Sequence, residues 1–419
     1  MDGTRFRLYP QPSFLDKFAE PEVVFVSSPP GSISAGPADD RMYTMFPVGK
    51  TEPYGFAANP DEETYSPPWR GDILPPPEPD AKGHFDYLEP GTPQFEAAHL
   101  FGCVRFVLDI WEGYFGRRLP WHSEKHFDRI ELSILPSLDN AYSGYGFIEV
   151  GGDRKHGAYV PFSLNFDVIA HEVGHALIYA EIGVPDPEAP QGEYFGFHES
   201  ASDLVALLSS LHFDSVIDNF LEATRGNLYV LNEVSRMAEL SDNAQIRIAA
   251  NDVRLSEFVH GWTKEHKLSE PLTGAFFDSF VDLFHECLLD RGAISREVED
   301  MSDKLLATPA YGPIMQKFFD EAYLQSPEQF RAALIDARDI LGTFLADTWT
   351  RLNRNDLTYA DVAEEFLAVE HAHTGGRYRL MFEQNFRMRD IGLVDVGPQL
   401  APLDEHSHAN SIRTQLPID

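Results

Sequence analysis

Two histidines and a glutamate share the five-residue stretch His171-Glu172-Val173-Gly174-His175. Residues four apart lie on the same face of an α-helix, so His171 and His175 can direct two ring nitrogens at one point. A tetrahedral zinc ion takes two of its ligands in this way. Glu172 lies close enough on the helix to reach a water on that metal. Zinc lowers the pKa of such a water to about 7, and a carboxylate can take its proton as it attacks a carbonyl.

A second pair of residues four apart, Glu199 and Asp203, follows the HExxH motif. The helical pattern that contains them begins at His198, and its leucines lie on the face opposite the two acids. One carboxylate can complete the zinc site, and the other can accept the second N–H of a ligating histidine. A solvated acidic pair is the alternative interpretation, but the HExxH motif upstream favours metal binding.

The elements that must position these side chains also leave patterns in the sequence. Apolar residues between Val168 and Ala180 recur at helical spacing around the HExxH motif. Asp167 is predicted as the N-cap of this helix, and Gly183, followed by Pro185, as its end.

Two segments upstream of the HExxH helix predict strands. The run Ile130-Glu131-Leu132-Ser133-Ile134 alternates as a strand should. The run Asn140-Ala141-Tyr142-Ser143-Gly144 is typical of a strand at the edge of a cleft. An extended peptide can pair with such an edge through main-chain hydrogen bonds, which suits a peptide as substrate. Asn140 as a simple turn residue is the alternative.

The chain divides into three predicted segments. Residues 1–93 hold 17 of the 30 prolines, which disfavours regular helices and predicts strands and loops packed on the core. Their clearest element is a strand at 22–26, and disorder or a cover over part of the cleft are the alternatives. Residues 94–183 would form a catalytic lobe with the edge strand and the HExxH helix, and residues 184–419 a mainly helical lobe. Periodic helical segments lie at 213–224, 273–291, 327–353 and 358–370.

The composition limits the partners of this chain. With 33 basic and 67 acidic residues it has a net charge of -34, which argues against nucleic acid and membrane surfaces. Cys103 and Cys287 fall in apolar helical patterns, so we expect buried thiols and no disulfide framework. No secretory signal or membrane span is evident, which predicts a cytoplasmic protein, with secretion by an unusual route left open. The oligomeric state also stays open.

Several segments carry a family resemblance, and they span roughly residues 94–285. They are Phe95 to His99, Gly116 to Leu119, Asn140 to Tyr142, Gly151 to Asp153, Tyr159 to Ser163, Asp167 to Glu172, His198 to Asp203, His266 to Ser269, and Gly274-Ala275. In these residues the chain resembles the thermolysin family of zinc metallopeptidases, the gluzincins. The resemblance implies an α+β fold of two lobes, β-rich at the N-terminal end and helical at the C-terminal end, with the HExxH helix between them.

The resemblance also implies roles for the clustered residues. His171, His175 and Glu199 would hold Zn²⁺, and Asp203 would accept a hydrogen bond from His171. Glu172 would act as general base. The chain would then be a metalloprotease, a zinc-dependent endopeptidase that hydrolyses peptide or protein substrates. A zinc-containing peptide-binding protein without hydrolytic activity is the alternative from another class, and a zinc hydrolase of another substrate also stays open.

Four further residues receive roles from the resemblance alone. Asn140 and the carbonyl of Ala141 would hold the substrate backbone, and Arg247 would bind a substrate carbonyl. His266 would donate a hydrogen bond to the oxyanion that forms as water attacks, although by itself it resembles a surface histidine.

Two positions depart from the family pattern. Gly261 stands where the family has the aspartate that orients the oxyanion histidine, and Glu265 and Glu257 are the candidates to replace it. Asp186 stands where the family has a catalytic tyrosine, and Tyr194 is a candidate to supply that donor.

Overall fold

The computed structural model describes residues 3–11, 18–55, 65–153, 159–190, 192–228, 236–237, 247–249, 251–297 and 311–392. The fold is a mixture of helices and strands. The strands are β1 Thr4–Leu8, β2 Glu22–Val26, β3 Met42–Met45, β4 Ile130–Ile134, β5 Ala141–Gly144, β6 Phe147–Val150, β7 Gly152–Asp153, β8 Val160–Pro161, β9 Arg236–Met237 and β10 Arg247–Ile248. The α-helices are α1 Pro93–Phe115, α2 Phe166–Glu181, α3 Tyr194–Ser210, α4 Asp214–Thr224, α5 Glu265–Asp290, α6 Tyr311–Gln325, α7 Pro327–Trp349, α8 Tyr359–Thr374 and α9 Arg379–Met388.

The main sheet has four strands in the order β3-β4-β6-β5. β3, β4 and β6 are parallel, and β5 runs antiparallel to β6, with Ala141 opposite Val150 and Gly144 opposite Phe147. The predicted strands at 22–26 and 130–134 are both present, as β2 and β4. β5 is the last strand of this sheet, so its outer edge can accept a further strand.

The N-terminal segment forms part of this core. Its strand β3 is the other edge of the main sheet, and β1 and β2 form a separate antiparallel hairpin. Phe6 of β1 is fully buried and stacks on Phe85 and Phe101. In the described part of the chain before Pro93, where α1 begins, no α-helix occurs, in agreement with the high proline content. The boundaries of the three predicted segments, and the division into two lobes, stay predictions.

Helices α2, α3 and α5 form the layer that carries the clustered residues. α2 packs against both β5 and α3, and α3 packs against α5. Gly174 of α2 allows the first of these helix contacts to be close, because a Cβ there would lie 2.6 Å from the Cα of Ser202. The buried apolar residues of the two halves of the chain, from Phe6 to Ile391, form one continuous cluster.

Three predicted helix starts need correction. Asn165, and not Asp167, caps α2, because its side chain accepts from the backbone N–H groups of Asp167 and Val168. α3 begins at Tyr194, four residues before the predicted start. α5 begins at Glu265 and continues through Pro271, whereas the periodicity placed its start at 273. Pro271 lies in the second turn, where it removes one main-chain hydrogen bond and crowds the carbonyl of Lys267, and the burial of Leu268 and Leu272 on either side offsets that cost.

Cys103 and Cys287 are both free and buried, as the sequence predicts. Burial raises the pKa of the Cys103 thiol well above its usual value. Within the described ranges, no single helix meets the length and hydropathy of a membrane span; the pair Tyr194–Ser210 and Asp214–Thr224 meets them jointly but is bent by 92°.

Candidate metal centre

The two histidines of the HExxH motif face the acidic pair of the next helix across the α2–α3 contact. The Nε2 atom of His171 lies 3.3 Å from Oε2 of Glu199, and that of His175 lies 3.9 Å from Oε1 of the same carboxylate. Ligand atoms about 2.0–2.1 Å from a tetrahedral zinc are separated from each other by about 3.3 Å. The three side chains therefore have the donor types and nearly the spacing of a zinc site.

Asp203 fixes the orientation of His171 from behind. Its Oδ1 atom lies 3.0 Å from Nδ1 of His171. A carboxylate only accepts, so Nδ1 carries a proton and the lone pair of the neutral ring is on Nε2, facing Glu199. The lone pair on Nε2 of His171 and the Oε2 atom of Glu199 are then two acceptors 3.3 Å apart. They require a positive charge between them, either a second proton or a metal cation. The arrangement fits a metal.

His175 is fixed from behind by α3 as well. Its Nδ1 atom lies 3.0 Å from Oγ of Ser202 and 2.9 Å from Nδ1 of His198. Burial lowers the pKa of His198 to about 4, so this ring is neutral and lies at hydrogen-bonding distance from His175. The ring of His198 stacks on His175 with centroids 4.6 Å apart. Both histidines are thus oriented with Nε2 directed at one carboxylate.

The sequence patterns assigned no role in the site to His198 and Ser202. They are four residues apart and each immediately precedes a member of the acidic pair, so they lie on a neighbouring face of the same helix. That spacing was the signal that could have found them.

Glu199 lies at the centre of the cluster and is buried. Burial alone would raise the pKa of its carboxyl, but the facing rings of His266, His175 and His171 outweigh burial and hold the pKa well below its usual range. The carboxylate is therefore ionised at neutral pH, as a metal ligand must be.

Glu172 is buried beside the two histidines. One ligand atom from each of His171, Glu172 and His175 lies within 4.8 Å of the other two. The Glu172 carboxylate is therefore close enough to take a proton from a water held in front of the histidine pair.

His266, in the first turn of α5, contacts the same carboxylate of Glu199. Its Nδ1 atom lies 2.8 Å from Oε2 of Glu199, and its side chain is 40% exposed. Glu265 lies close by, with a carboxylate oxygen within 4.8 Å of ligand atoms of both. Glu257, the other candidate to orient His266, accepts instead from the backbone N–H of Arg254 and caps a 3-10 turn.

The predicted substrate-binding residues lie at two places. Asn140 is exposed immediately before β5, and Ala141 is the first residue of that edge strand, which packs against α2. Arg247 is in the short strand β10, but its side chain lies outside the described part of the structure.

Tyr194 does not supply the missing tyrosine donor. It is fully buried, and its hydroxyl donates to the carbonyl of Gly183 at 2.6 Å. Asp186 is exposed and paired with Arg354, with 3.0 Å between the guanidinium and the carboxylate. Tyr194 therefore links the start of α3 to the end of α2, and Asp186 links the α2–α3 connection to Arg354, which follows α7.

Comparison with protein-family models finds no match for this chain. Comparison with curated proteins finds none either. Among solved structures, the chain is similar to the precursor of protealysin, a metalloproteinase from Serratia proteamaculans, with 12% sequence identity and a TM-score of 0.46. The match covers 83% of this chain and 87% of that chain. A similarity at this level carries no argument about function, which has to come from the site itself.

Proposed function

We propose that this protein is a zinc-dependent endopeptidase. The observation that carries the proposal is the convergence of His171 and His175 on Glu199, with the far nitrogen of each ring held by α3. Glu172 beside them supports a hydrolase in particular, because a purely structural metal site needs no base next to its ligands.

The residues divide the chemistry among them. A zinc ion held by His171, His175 and Glu199 would polarise the substrate carbonyl and lower the pKa of a water to about 7. Glu172 takes a proton from the attacking water as the new carbon–oxygen bond forms, and delivers it to the amine as the carbon–nitrogen bond breaks. His266 leaves Glu199 and donates to the developing oxyanion, a contribution that typically amounts to about 10²–10³ in rate.

The edge strand supports a peptide as the substrate. An extended chain that pairs with β5 is held through main-chain groups, so recognition does not depend on sequence. Asn140 and the carbonyl of Ala141 lie where that pairing begins. Peptides and proteins are the proposed partners, because a net charge of -34 disfavours nucleic acids and anionic membranes.

A peptide-binding protein without hydrolysis is the second candidate, and two observations favour it. Gly261 cannot orient His266, and Tyr194 is buried with its hydroxyl donated to Gly183. The Nδ1 atom of His266 contacts the carboxylate of Glu199, so this ring competes with a metal for the same oxygen.

Digestion of a broad peptide mixture separates the two candidates. We expect purified, zinc-loaded protein to produce new peptide termini, a zinc chelator to stop it, and added zinc to restore it. Glu199→Ala should lose the tightly bound zinc and the activity. Glu265→Ala is the matched control, because it removes a neighbouring carboxylate that is not a proposed ligand, and it should keep the zinc. Peptide binding without any cleavage would overturn the endopeptidase and favour the binding protein.

A further inference from the structure

A run of prolines crosses the surface of the N-terminal segment at Ile73-Leu74-Pro75-Pro76-Pro77-Glu78-Pro79, here called the proline ridge. Proline fixes φ at about −65°, and a residue before proline is restricted to extended or polyproline II backbone. Every residue from 74 to 79 either is a proline or precedes one, and these residues belong to no helix or strand. The peptide bonds into the ridge prolines are trans. The ridge therefore forms a polyproline II helix, which has three residues per turn.

Exposure along the ridge follows this three-residue period. Leu74 and Pro77, three residues apart, are half-buried and buried, so one edge of the helix rests on the core. Ile73, which starts the next edge, is 47% exposed. The residues of the two outer edges are exposed apart from the half-buried Pro79: Ile73, Pro76 and Pro79 on one edge, and Pro75 and Glu78 on the other. Packing against the core thus accounts for one edge and leaves a row of prolines in solvent.

Hydrogen bonds from neighbouring segments hold the ridge in place. The backbone N–H of Gly36 donates to the carbonyl of Pro77 at 3.0 Å, and Nε2 of Gln94 donates to the carbonyl of Pro75 at 3.1 Å. A polyproline II helix has no internal hydrogen bonds, so these contacts supply the order that the helix cannot supply itself. A partner that binds the ridge therefore meets a helix that is already formed, and little conformational entropy is lost on binding.

The ridge lies beside the edge of the main sheet that is opposite β5. Its first residues pair with the chain that follows β3. The backbone N–H of Val48 donates to the carbonyl of Asp72 at 2.8 Å, and that of Leu74 donates to the carbonyl of Phe46 at 2.9 Å. β3 and β5 are the two outer strands of the sheet, with β4 and β6 between them. A partner on the ridge therefore leaves β5 open to a peptide.

We propose that the proline ridge docks a partner protein through a groove lined with aromatic side chains. Grooves of this kind hold polyproline II segments in which two prolines are separated by two residues, because such prolines lie on the same edge of the helix. Pro76 and Pro79 have that spacing, and Ile73 extends the same edge by one turn. The exposed carboxylate of Glu78 on the adjacent edge favours a groove flanked by lysine or arginine. Docking there does not depend on the peptidase activity.

Binding of purified polyproline-recognition domains tests the ridge. A panel of isolated SH3 and WW domains is titrated into zinc-loaded protein that carries Glu172→Gln, so that the proposed peptidase does not cleave the probes. At least one domain should bind saturably. Pro76→Ala/Pro79→Ala should weaken that binding by about 10-fold or more, because it removes both prolines of one edge. Pro29→Ala/Pro30→Ala, which changes another exposed proline pair, should leave it unchanged.

A peptide provides a second measurement that does not depend on the folding of a variant. A synthetic peptide of residues 72–81 should compete with the whole protein for the same domain, and its Pro76→Ala/Pro79→Ala version should not. Thermal melting shows whether each protein variant is folded. If no domain of the panel binds the protein with its ridge intact, if the folded Pro76→Ala/Pro79→Ala protein binds equally well, or if the peptide fails to compete, the ridge is not a docking site.

Discussion

The Nδ1 atoms of His171 and His175 face away from Glu199, and their hydrogen-bond partners set the orientation of each ring. For His171 that nitrogen meets Asp203, and for His175 it meets Ser202 and His198. Each contact fixes the ring's orientation and leaves its lone pair directed at the proposed metal position. The precision of the site therefore depends on α3 as much as on the HExxH motif.

Asp203→Asn tests this arrangement. The amide still fills the space but no longer supplies a charged acceptor to His171, so we expect zinc affinity to fall by about 10–100-fold. Competition with a chelator of known affinity measures it. Ser202→Ala is the matched control on the same helix, with a smaller expected loss, because His198 still contacts His175. Unchanged affinity in Asp203→Asn would show that Asp203 does not support the metal.

At the scale of elements, three helices meet at Tyr359, the first residue of α8. Its backbone N–H donates to the buried Glu193 just before α3, and its hydroxyl donates to the carbonyl of Leu268 in α5 at 2.6 Å. A Cβ on Gly196 of α3 would lie 2.3 Å from that hydroxyl. Tyr359 thus links the helix that carries Glu199 to the helix that carries His266.

Tyr359→Phe should allow His266 to shift relative to Glu199 without removing a ligand. We expect unchanged zinc content and a kcat lower by about 10-fold, because small displacements of a catalytic group are costly. In the His266→Ala background the same substitution should have no further effect on kcat. Tyr54→Phe, which also removes a buried hydroxyl hydrogen bond, is the control. Equal losses of activity in both backgrounds would show that Tyr359 does not act through His266.

Sequence patterns predicted the α2 and α3 pairing better than the ends of these helices. Local spacing identifies residues that share a helix face, and it therefore brought His171, His175, Glu199 and Asp203 to attention. The segment around His266 was harder, because Pro271 interrupts the helical pattern and concealed the start of α5. The metal-binding and catalytic roles of these residues stay predictions until they are measured.

Contacts between residues far apart in the sequence could not be predicted from local sequence patterns. Nothing near Tyr359 in the sequence indicates that its hydroxyl lies against Leu268, 91 positions away. Likewise, the alternation of β4 predicts a strand but not that Glu131, on its less apolar face, is buried. Such contacts depend on how distant segments pack together. The periodic spacing of apolar residues in a helix or a strand does not encode that packing.

Across the whole molecule, the proline-rich N-terminal segment is fastened to the main sheet by a buried polar cluster. Lys50 pairs with Glu149 of β6, and both side chains are fully buried. Tyr43 and Tyr54 donate their hydroxyls to Glu131 of β4, each at 2.7 Å. None of these contacts involves a residue of the candidate metal centre, so the cluster supports the fold rather than the metal centre.

Lys50→Met should destabilise the protein by about 3–5 kcal/mol, because it leaves Glu149 buried without its cation. Chemical denaturation of zinc-free protein measures the loss. The double variant Lys50→Met/Glu149→Gln should recover most of it, since the amide still accepts from the backbone N–H of Tyr54. A loss below about 1 kcal/mol, typical of an exposed pair, would contradict this role of the cluster.

Stability should also depend on pH through Glu193. Burial raises the pKa of its carboxyl to about 7 from an ordinary 4.5, so the folded state holds a proton that the unfolded state releases between these values. The favourable contribution is complete below pH 4.5 and is lost as pH rises through 7, by an amount on the order of 3 kcal/mol. Glu193→Gln should therefore gain stability relative to the parent between pH 5 and pH 8.

Denaturation at several pH values checks the sign of this effect. Glu188→Gln, at an exposed position, makes the same change in net charge and serves as the control. If the difference between Glu193→Gln and the parent did not grow with pH, Glu193 would not hold a proton in the folded protein.

The rate of peptide hydrolysis by Glu172→Gln shows whether Glu172 is the general base. The side chain lies beside the histidine pair, so the amide should leave zinc content and peptide binding intact while removing the proton acceptor. On the same peptide mixture, we predict that zinc-loaded parent cleaves and that Glu172→Gln is slower by a factor on the order of 10³ or more. Equal rates for the two zinc-loaded proteins would contradict the proposed peptidase mechanism, because hydrolysis would then not depend on Glu172.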